Sequence, residues 1–248
     1  MNLDKIGRFI ARNGKKKYYV ASPEDNDELQ LKTFNKITLR DGKFQYMPNN
    51  ETRDVISVFG QSGSGKSYFI SQFTHEYHTV YKKNHIYLLS ECPEDEVFDE
   101  KPYIKRILIN EELLEDKIEW DEFKDCLVIL DDIDALSKEY KKYIDELRNK
   151  LLKNARKNNV SVCISNHNFT DGISTKNTLN ESNVIVFFMN NGFNRGIKYF
   201  LESYVGLDKK SIQNLRKLGQ TRATVYIKTY PQIIMTDKHI TTVNELSK

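Results

Sequence analysis

Residues 54–68 read DVISVFGQSGSGKSY, and this stretch narrows the choice of fold more than any other. Val55, Ile56, Val58 and Phe59 form a short apolar run, the pattern of a buried strand. The run breaks at Gly60 into a loop ending Gly65-Lys66-Ser67. Tyr68, Phe69, Ile70 and Phe73 then predict a helix. Strand, G-x-x-x-x-G-K-[ST] loop and helix, in that order, are the signature of a phosphate-binding loop. Phosphate oxygens need many donors at close range, and backbone N–H groups supply them only where side chains do not intrude. The first turn of the helix adds unpaired N–H groups and the positive end of its dipole. The residues assigned to this cradle are Gly60, Gln61, Ser62, Gly63, Ser64, Gly65, Lys66 and Ser67. Lys66 would reach the β- and γ-phosphates of ATP, and Ser67 would ligate Mg²⁺. The alternative is a chance glycine-serine turn, and the flanking strand and helix argue against it.

With 248 residues and 39% hydrophobic content, the chain is long and apolar enough for one large α/β domain, or a core with a small appendage. We read 1–53 as a β-rich N-terminal extension and 54–248 as the nucleotide-binding domain. No apolar run approaches the ~20 residues of a membrane span. The N-terminus lacks the apolar segment of a secretory signal. Cys92, Cys126 and Cys163 are odd in number, without metal-ligand spacing, and two fall in apolar runs. Buried, reduced thiols in an intracellular compartment are the expectation. Charge is uneven. Residues 91–136 carry 17 acids against 5 bases, and residues 137–228 carry 17 bases against 7 acids. A basic face attractive to polyanions is one outcome, and solvated helix faces whose charges mix on folding are the other.

Further strands are expected at Lys17–Val20, Ile37–Leu39, His85–Ser90, Ile104–Ile109, Cys126–Leu130, Val160–Ile164 and Val184–Phe188. Asp41-Gly42 suggests a hairpin returning through Phe44–Met47, and Ser22–Asp27 reads as a loop. A helix should follow the phosphate loop to about Tyr81, and Glu111–Asp125 reads as an acidic helical stretch. Tyr140, Ile144, Leu147, Leu151 and Ala155 step by three and four, which predicts a long helix from about Ser137 to Asn158. Two helical segments are expected near Arg195–Val205 and Asp208–Leu218, with Asp208 as N-cap and Gly219 just past the end. A hairpin around Thr229-Tyr230-Pro231 closes the chain. Alternating strands and helices imply a mainly parallel sheet covered on both faces.

Cys126-Leu-Val-Ile-Leu-Asp131-Asp132 is a Walker B pattern: an apolar strand that carries acids to the carboxyl end of the sheet. Asp131 can hold Mg²⁺, and Asp132 is placed to polarise an attacking water. Alternatively, Asp131, Asp132 and Asp134 cap the next helix. The run Val160–Ile164 leads into Ser165-Asn166-His167. His167 is the candidate sensor of the γ-phosphate, with Asn166 as runner-up.

Gln61–Ser67, Val128–Asp132 and Ala155–Val160 leading into Ser165–His167 resemble the FtsK–HerA superfamily of DNA-pumping P-loop ATPases. The nearest resemblance is to the genome-packaging ATPases of double-jelly-roll DNA viruses, helped by Tyr204–Asp208, Arg222 and Thr229–Pro231. It covers roughly residues 54–236. It implies a RecA-like core of the ASCE class, with small N- and C-terminal β-hairpin additions. It implies hydrolysis of ATP with Mg²⁺ and translocation of double-stranded DNA by a homo-oligomeric ring, a pentamer or hexamer. It also implies contact with capsid or membrane-vertex proteins, in the virus factory of an infected cell or in the virion. An arginine at the position of Arg156 is, in the family, proposed to reach the neighbouring subunit's γ-phosphate; Arg195 and Arg222 are alternates. The plain alternative for Arg156 is a cation at a helix C-terminus. Asp132 departs from the Glu common in cellular members.

The rivals are a cellular or plasmid DNA pump, a P-loop small-molecule kinase, and a non-hydrolysing switch or assembly scaffold. A kinase needs an acceptor pocket and an Arg-rich lid. The order from Leu130 to Ile164 (acidic pair, long helix, arginine, sensor strand) instead resembles a motor.

Overall fold

The computed structural model describes residues 1–170, 172–189, 194–218 and 223–248. The chain divides into two compact units. One is Thr52–Ser182; the other joins Met1–Glu51 with Asn183–Lys248.

The second of these begins with β1 (Arg8–Asn13) and β2 (Lys16–Val20), an antiparallel hairpin that continues as a three-stranded sheet in the order β2-β1-β4, with β3 at Lys36–Thr38 and β4 at Gln45–Tyr46. Between β2 and β3 lies α1 (Pro23–Leu29), where the sequence suggested a loop. Ser22 accepts from the Asp25 N–H and the Asp25 carboxylate accepts in return from the Ser22 N–H, with Pro23 in the first turn. This reciprocal cap turns a polar run into a helix start. The hairpin expected at Asp41-Gly42 does not form. Gly42 does take a positive φ of 74°, but β4 pairs with β1 and β3 pairs with a C-terminal strand. The turn reverses the chain without making its flanks partners.

The unit Thr52–Ser182 holds β5 (Val55–Phe59), α2 (Lys66–Val80), β6 (His85–Ser90), α3 (Glu96–Asp99), β7 (Ile104–Leu108), α4 (Glu111–Glu115), β8 (Cys126–Leu130), α5 (Lys138–Asn154), β9 (Val160–Asn166) and α6 (Gly172–Glu181). Its five strands are all parallel, in the order β5-β9-β8-β6-β7. β5, β8 and β9 are buried along their whole length, as strands covered on both faces must be. β9 therefore lies between β5, which leads into the glycine-rich loop, and β8, which ends at the Asp131-Asp132 pair. Ile144, Leu147, Leu151 and Ala155 of the expected stripe are buried, with Tyr140 packed at its edge. The long helix ends at Asn154 and tightens into a 3₁₀ turn, Ala155–Asn158. Ser137 sits at the N-cap position without a side-chain capping bond. The acidic helical stretch is shorter than expected. α4 stops at Glu115, and Trp120–Glu122 is a 3₁₀ turn whose Trp120 packs against the core.

The remainder of the unit that joins Met1–Glu51 with Asn183–Lys248 is β10 (Val184–Phe187), α7 (Arg195–Phe200) running into a π-helical turn Leu201–Val205, α8 (Lys209–Leu218), β11 (Thr224–Ile227), β12 (Ile233–Met235) and β13 (His239–Thr242). β10, β11, β12, β13 and β3 pair successively, all antiparallel, so Val184–Phe187 is paired on this side with an antiparallel neighbour. β11 and β12 form the expected closing hairpin. Asp208 caps α8 by accepting from the Ser211 N–H at 2.7 Å. Gly219 and Arg222 lie outside the described residues. Among the described residues no helix is long and apolar enough to cross a membrane.

Candidate active site

The site is built where three parallel strands of one unit end together. In register, Phe59 of β5 stands opposite Asn166 of β9, and Leu130 of β8 opposite Ile164. The residues that follow these strands are thus delivered to the same edge of the sheet. The Gly60 N–H donates to the Asn166 carbonyl at 3.0 Å, tying the start of the phosphate loop to the end of β9. Phe59 and Phe169 stack at 4.1 Å between ring centroids, which anchors the segment carrying His167.

Gly65 precedes α2 at φ 106°, a backbone that side-chain-bearing residues rarely adopt. It delivers Lys66, Ser67 and the first-turn N–H groups to the loop. Lys66 is buried (6% exposed). Its ammonium donates to the Gly60 carbonyl at 3.1 Å and lies 3.5 Å from Asp132 Oδ1. Asp132 itself takes φ 45°, in the left-handed region. Asp132 Oδ1 accepts from the Ser165 hydroxyl at 2.6 Å, and its side chain is 48% exposed. His167 Nε2 lies 3.8 Å from the same oxygen. Asp134 accepts from the His167 N–H at 2.7 Å and faces His167 Nδ1 at 2.8 Å.

Asp131 follows β8 directly, its N–H bonded to the Leu89 carbonyl. Burial, then the charges of Asp132 and Asp95, push its carboxyl up to about 6, with Ser165 and Lys66 acting the other way. A carboxylate held against burial and two like charges calls for a counter-cation, and oxygen donors suit a hard one. The chemistry of Asp131 therefore fits a hard divalent cation. Asp95 reaches this neighbourhood from the acidic loop, where it caps α3 by accepting from the Val97 N–H. Arg106 braces that loop by pairing with Asp99 and donating to the Cys92 carbonyl at 2.8 Å.

Of the residues singled out in the sequence, the structure brings together Lys66, Asp131, Asp132, Asn166 and His167. Arg156 is not among them. It is exposed in the 3₁₀ turn before β9, at the opposite end of the strand from the phosphate loop. Nor does it cap α5. Arg53 does that, donating to the carbonyls of Leu151 at 2.9 Å, Leu152 and Val160 at 3.2 Å. Arg195 belongs to the other unit. The sequence assigns no role of its own to Ser165 or Arg53, and to Asp134 only that of a helix cap. The D-D-x-D spacing was the one signal for Asp134.

The chain is 33% identical over 242 residues to the uncharacterised protein V3 of Sputnik virophage, a match covering 94% of this chain and 95% of that one. Among solved structures it is similar to the cytoplasmic domain of the type VII secretion ATPase EccC of Thermomonospora curvata, with TM-score 0.52 and 11% identity over 82% of this chain and 28% of that one. It is also similar to the genome-packaging NTPase B204 of Sulfolobus turreted icosahedral virus 2 in complex with ATP-gammaS, with TM-score 0.48 and 14% identity over 75% of this chain and 97% of that one. No protein-family model matches the chain. A 33% identity that runs nearly the length of both chains settles the kinship: the chain belongs to the family of the Sputnik virophage protein V3, and its fold is similar to that of the EccC ATPase domains.

Proposed function

We propose that this protein is a Mg²⁺-dependent ATPase that drives double-stranded DNA into a viral capsid. The observation that carries the reading is the meeting of Lys66, Asp132, Ser165 and His167 at the mouth of the phosphate loop. It supplies a cation for the phosphates and a carboxylate to polarise water. Mg²⁺ on Ser67 and Asp131 would offset charge on the β- and γ-phosphate oxygens. The family's virophage member and the motif resemblance favour genome packaging over a small-molecule kinase.

The position of Arg156 fits a ring. β9 has seven residues, so it spans roughly 20 Å. An arginine before its first residue is too far from its own phosphate loop and is available to a neighbour's.

The test is ATP turnover by the purified protein with and without duplex DNA. We expect turnover that duplex DNA stimulates. We also expect sequence-tolerant DNA binding that weakens steeply with salt, because phosphate contacts release counterions. Turnover indifferent to DNA, with DNA affinity indifferent to salt, would return the kinase or scaffold reading.

A further inference from the structure

Asp134 stands three residues beyond the Walker B acid and does not serve the helix after it. Both of its oxygens go to His167: Oδ2 accepts from the backbone N–H at 2.7 Å, and Oδ1 lies 2.8 Å from Nδ1. An ionised carboxylate only accepts, so the hydrogen between them sits on Nδ1. With its hydrogen on Nδ1, an imidazole ring has its lone pair at Nε2. That nitrogen is aimed at Asp132, whose Oδ1 is 3.8 Å away. The gap is too long for a direct hydrogen bond and suits one water held between two acceptors. Asp132 is fixed in turn by Ser165 at 2.6 Å and by the Lys66 ammonium at 3.5 Å. The side chains of His167 and Asp132 are 28% and 48% exposed, so water reaches the gap.

We propose that Asp134 is a positioning residue for hydrolysis: by fixing the Nδ1–H tautomer of His167, it makes Nε2 and Asp132 a pair of acceptors that grip the attacking water by both hydrogens. The proposal rests on the ATPase reading above. A water so held has its oxygen lone pairs turned away from the two acceptors, free for attack. In the step that follows, this oxygen bonds to the γ-phosphorus, and the bond from that phosphorus to the bridging oxygen breaks with its electron pair leaving on ADP. One water hydrogen passes as a proton to His167 Nε2, and the resulting imidazolium is stabilised by Asp134. The other stays on the product phosphate, facing Asp132.

Asp134→Asn separates this role from a merely structural one. The amide oxygen still accepts from the His167 N–H, but the amide nitrogen now faces Nδ1 as a donor, which drives the ring hydrogen to Nε2. We expect kcat for ATP to fall by about tenfold to a hundredfold, the loss typical when a positioning partner is removed. KM should change little. Asp134→Asn in a His167→Gln background should cause no further loss, because Asp134 acts through the ring. The ¹⁵N side-chain spectrum of the wild type, with the His167 signal assigned by its loss in His167→Gln, should show neutral His167 as the Nδ1–H tautomer. That reading needs no folded Asp134 variant. An Nε2–H tautomer in the wild type overturns the proposal. So does turnover of Asp134→Asn within about twofold of wild type, or a full additional loss in the double variant. A wild type that binds ATP without hydrolysing it overturns the ATPase reading itself, and this proposal falls with it.

Discussion

Lys66 Nζ sits 3.5 Å from Asp132 Oδ1, a contact that links the phosphate loop to the segment after β8 across 66 residues of sequence. The ammonium is buried and the carboxylate half exposed, so the pair acts as a single electrostatic unit at the mouth of the loop. Lys66→Ala should remove the cation that meets the phosphates and abolish measurable ATP binding or turnover. Asp132→Asn should keep nucleotide binding and lose roughly 10²- to 10³-fold in turnover, the scale of a lost polarising group. Equilibrium binding of a fluorescent ATP analogue, measured beside phosphate release, separates the two. Normal turnover in Asp132→Asn would show that Asp132 does not hold the attacking water.

Arg156 and Arg53 should respond oppositely to truncation. Arg53 donates to three backbone carbonyls at the end of α5 and the start of β9. Arg53→Ala should therefore cost about 2–3 kcal/mol in urea unfolding, the scale of a lost charged hydrogen-bond set. The exposed Arg156 should cost under ~0.5 kcal/mol on truncation and still lose most turnover. Mixing Arg156→Ala with Lys66→Ala should restore part of the activity, because some interfaces then pair an intact loop with an intact arginine. A mixture that co-assembles and stays inactive would end the trans role for Arg156 and direct attention to Arg195 and Arg222.

Asp131 gives a pH dependence whose sign can be worked out. Its carboxyl is raised from 3.8 to about 6, so the folded protein binds the proton more tightly than the unfolded chain. The stabilising contribution of the protonated acid is complete below about pH 4 and is lost as pH rises through about 6. In metal-free buffer, Asp131→Asn should stabilise the protein at pH 7 by on the order of 2 kcal/mol and leave it nearly unchanged at pH 4. Saturating Mg²⁺ should stabilise the wild type but not the variant. Equal effects of the substitution at both pH values would contradict the burial that raises this group.

Only one of the three thiols should react in the native state. Cys92 is exposed, whereas Cys126 and Cys163 are buried. Burial pushes the Cys126 thiol up to about 12 and Cys163 higher still. Mass spectrometry after brief alkylation should find one label, on Cys92, and three after denaturation. Native labelling of Cys126 would mean that β8 opens.

What the sequence made legible was local. β5 and β8 are apolar runs bounded by glycine or charge, and such runs identify themselves where both faces are covered. The phosphate loop and the acids after β8 are contiguous motifs, so their elements could be named before their neighbours were known. What escaped was non-local. Gly42 marks a reversal, but nothing near it says that β3 pairs with β13, about 200 residues on. The Asp134 carboxylate bonds a histidine 33 residues away, and Arg53 caps a helix nearly 100 residues ahead. Charge and spacing along a chain record what a side chain can donate or accept, and the fold alone chooses the partner. α1 was the exception, a missed local signal: Ser22, Pro23 and Asp25 spell a helix start, and their polarity disguised it as loop.

The opposite placement of Arg156 and the phosphate loop along β9 also bears on how copies of this protein could join. If the arginine serves a neighbour, one edge of each subunit gives and the other receives. A two-fold dimer joins identical patches, so it serves this pair only if one patch spans both the arginine and the phosphate loop, roughly 20 Å apart along β9. Where separate patches give and receive, association is heterologous and head-to-tail, a pattern that adds subunits in one sense and ends only by closing into a ring or continuing as a filament. The polarity of a parallel sheet would thereby set the direction in which the assembly grows.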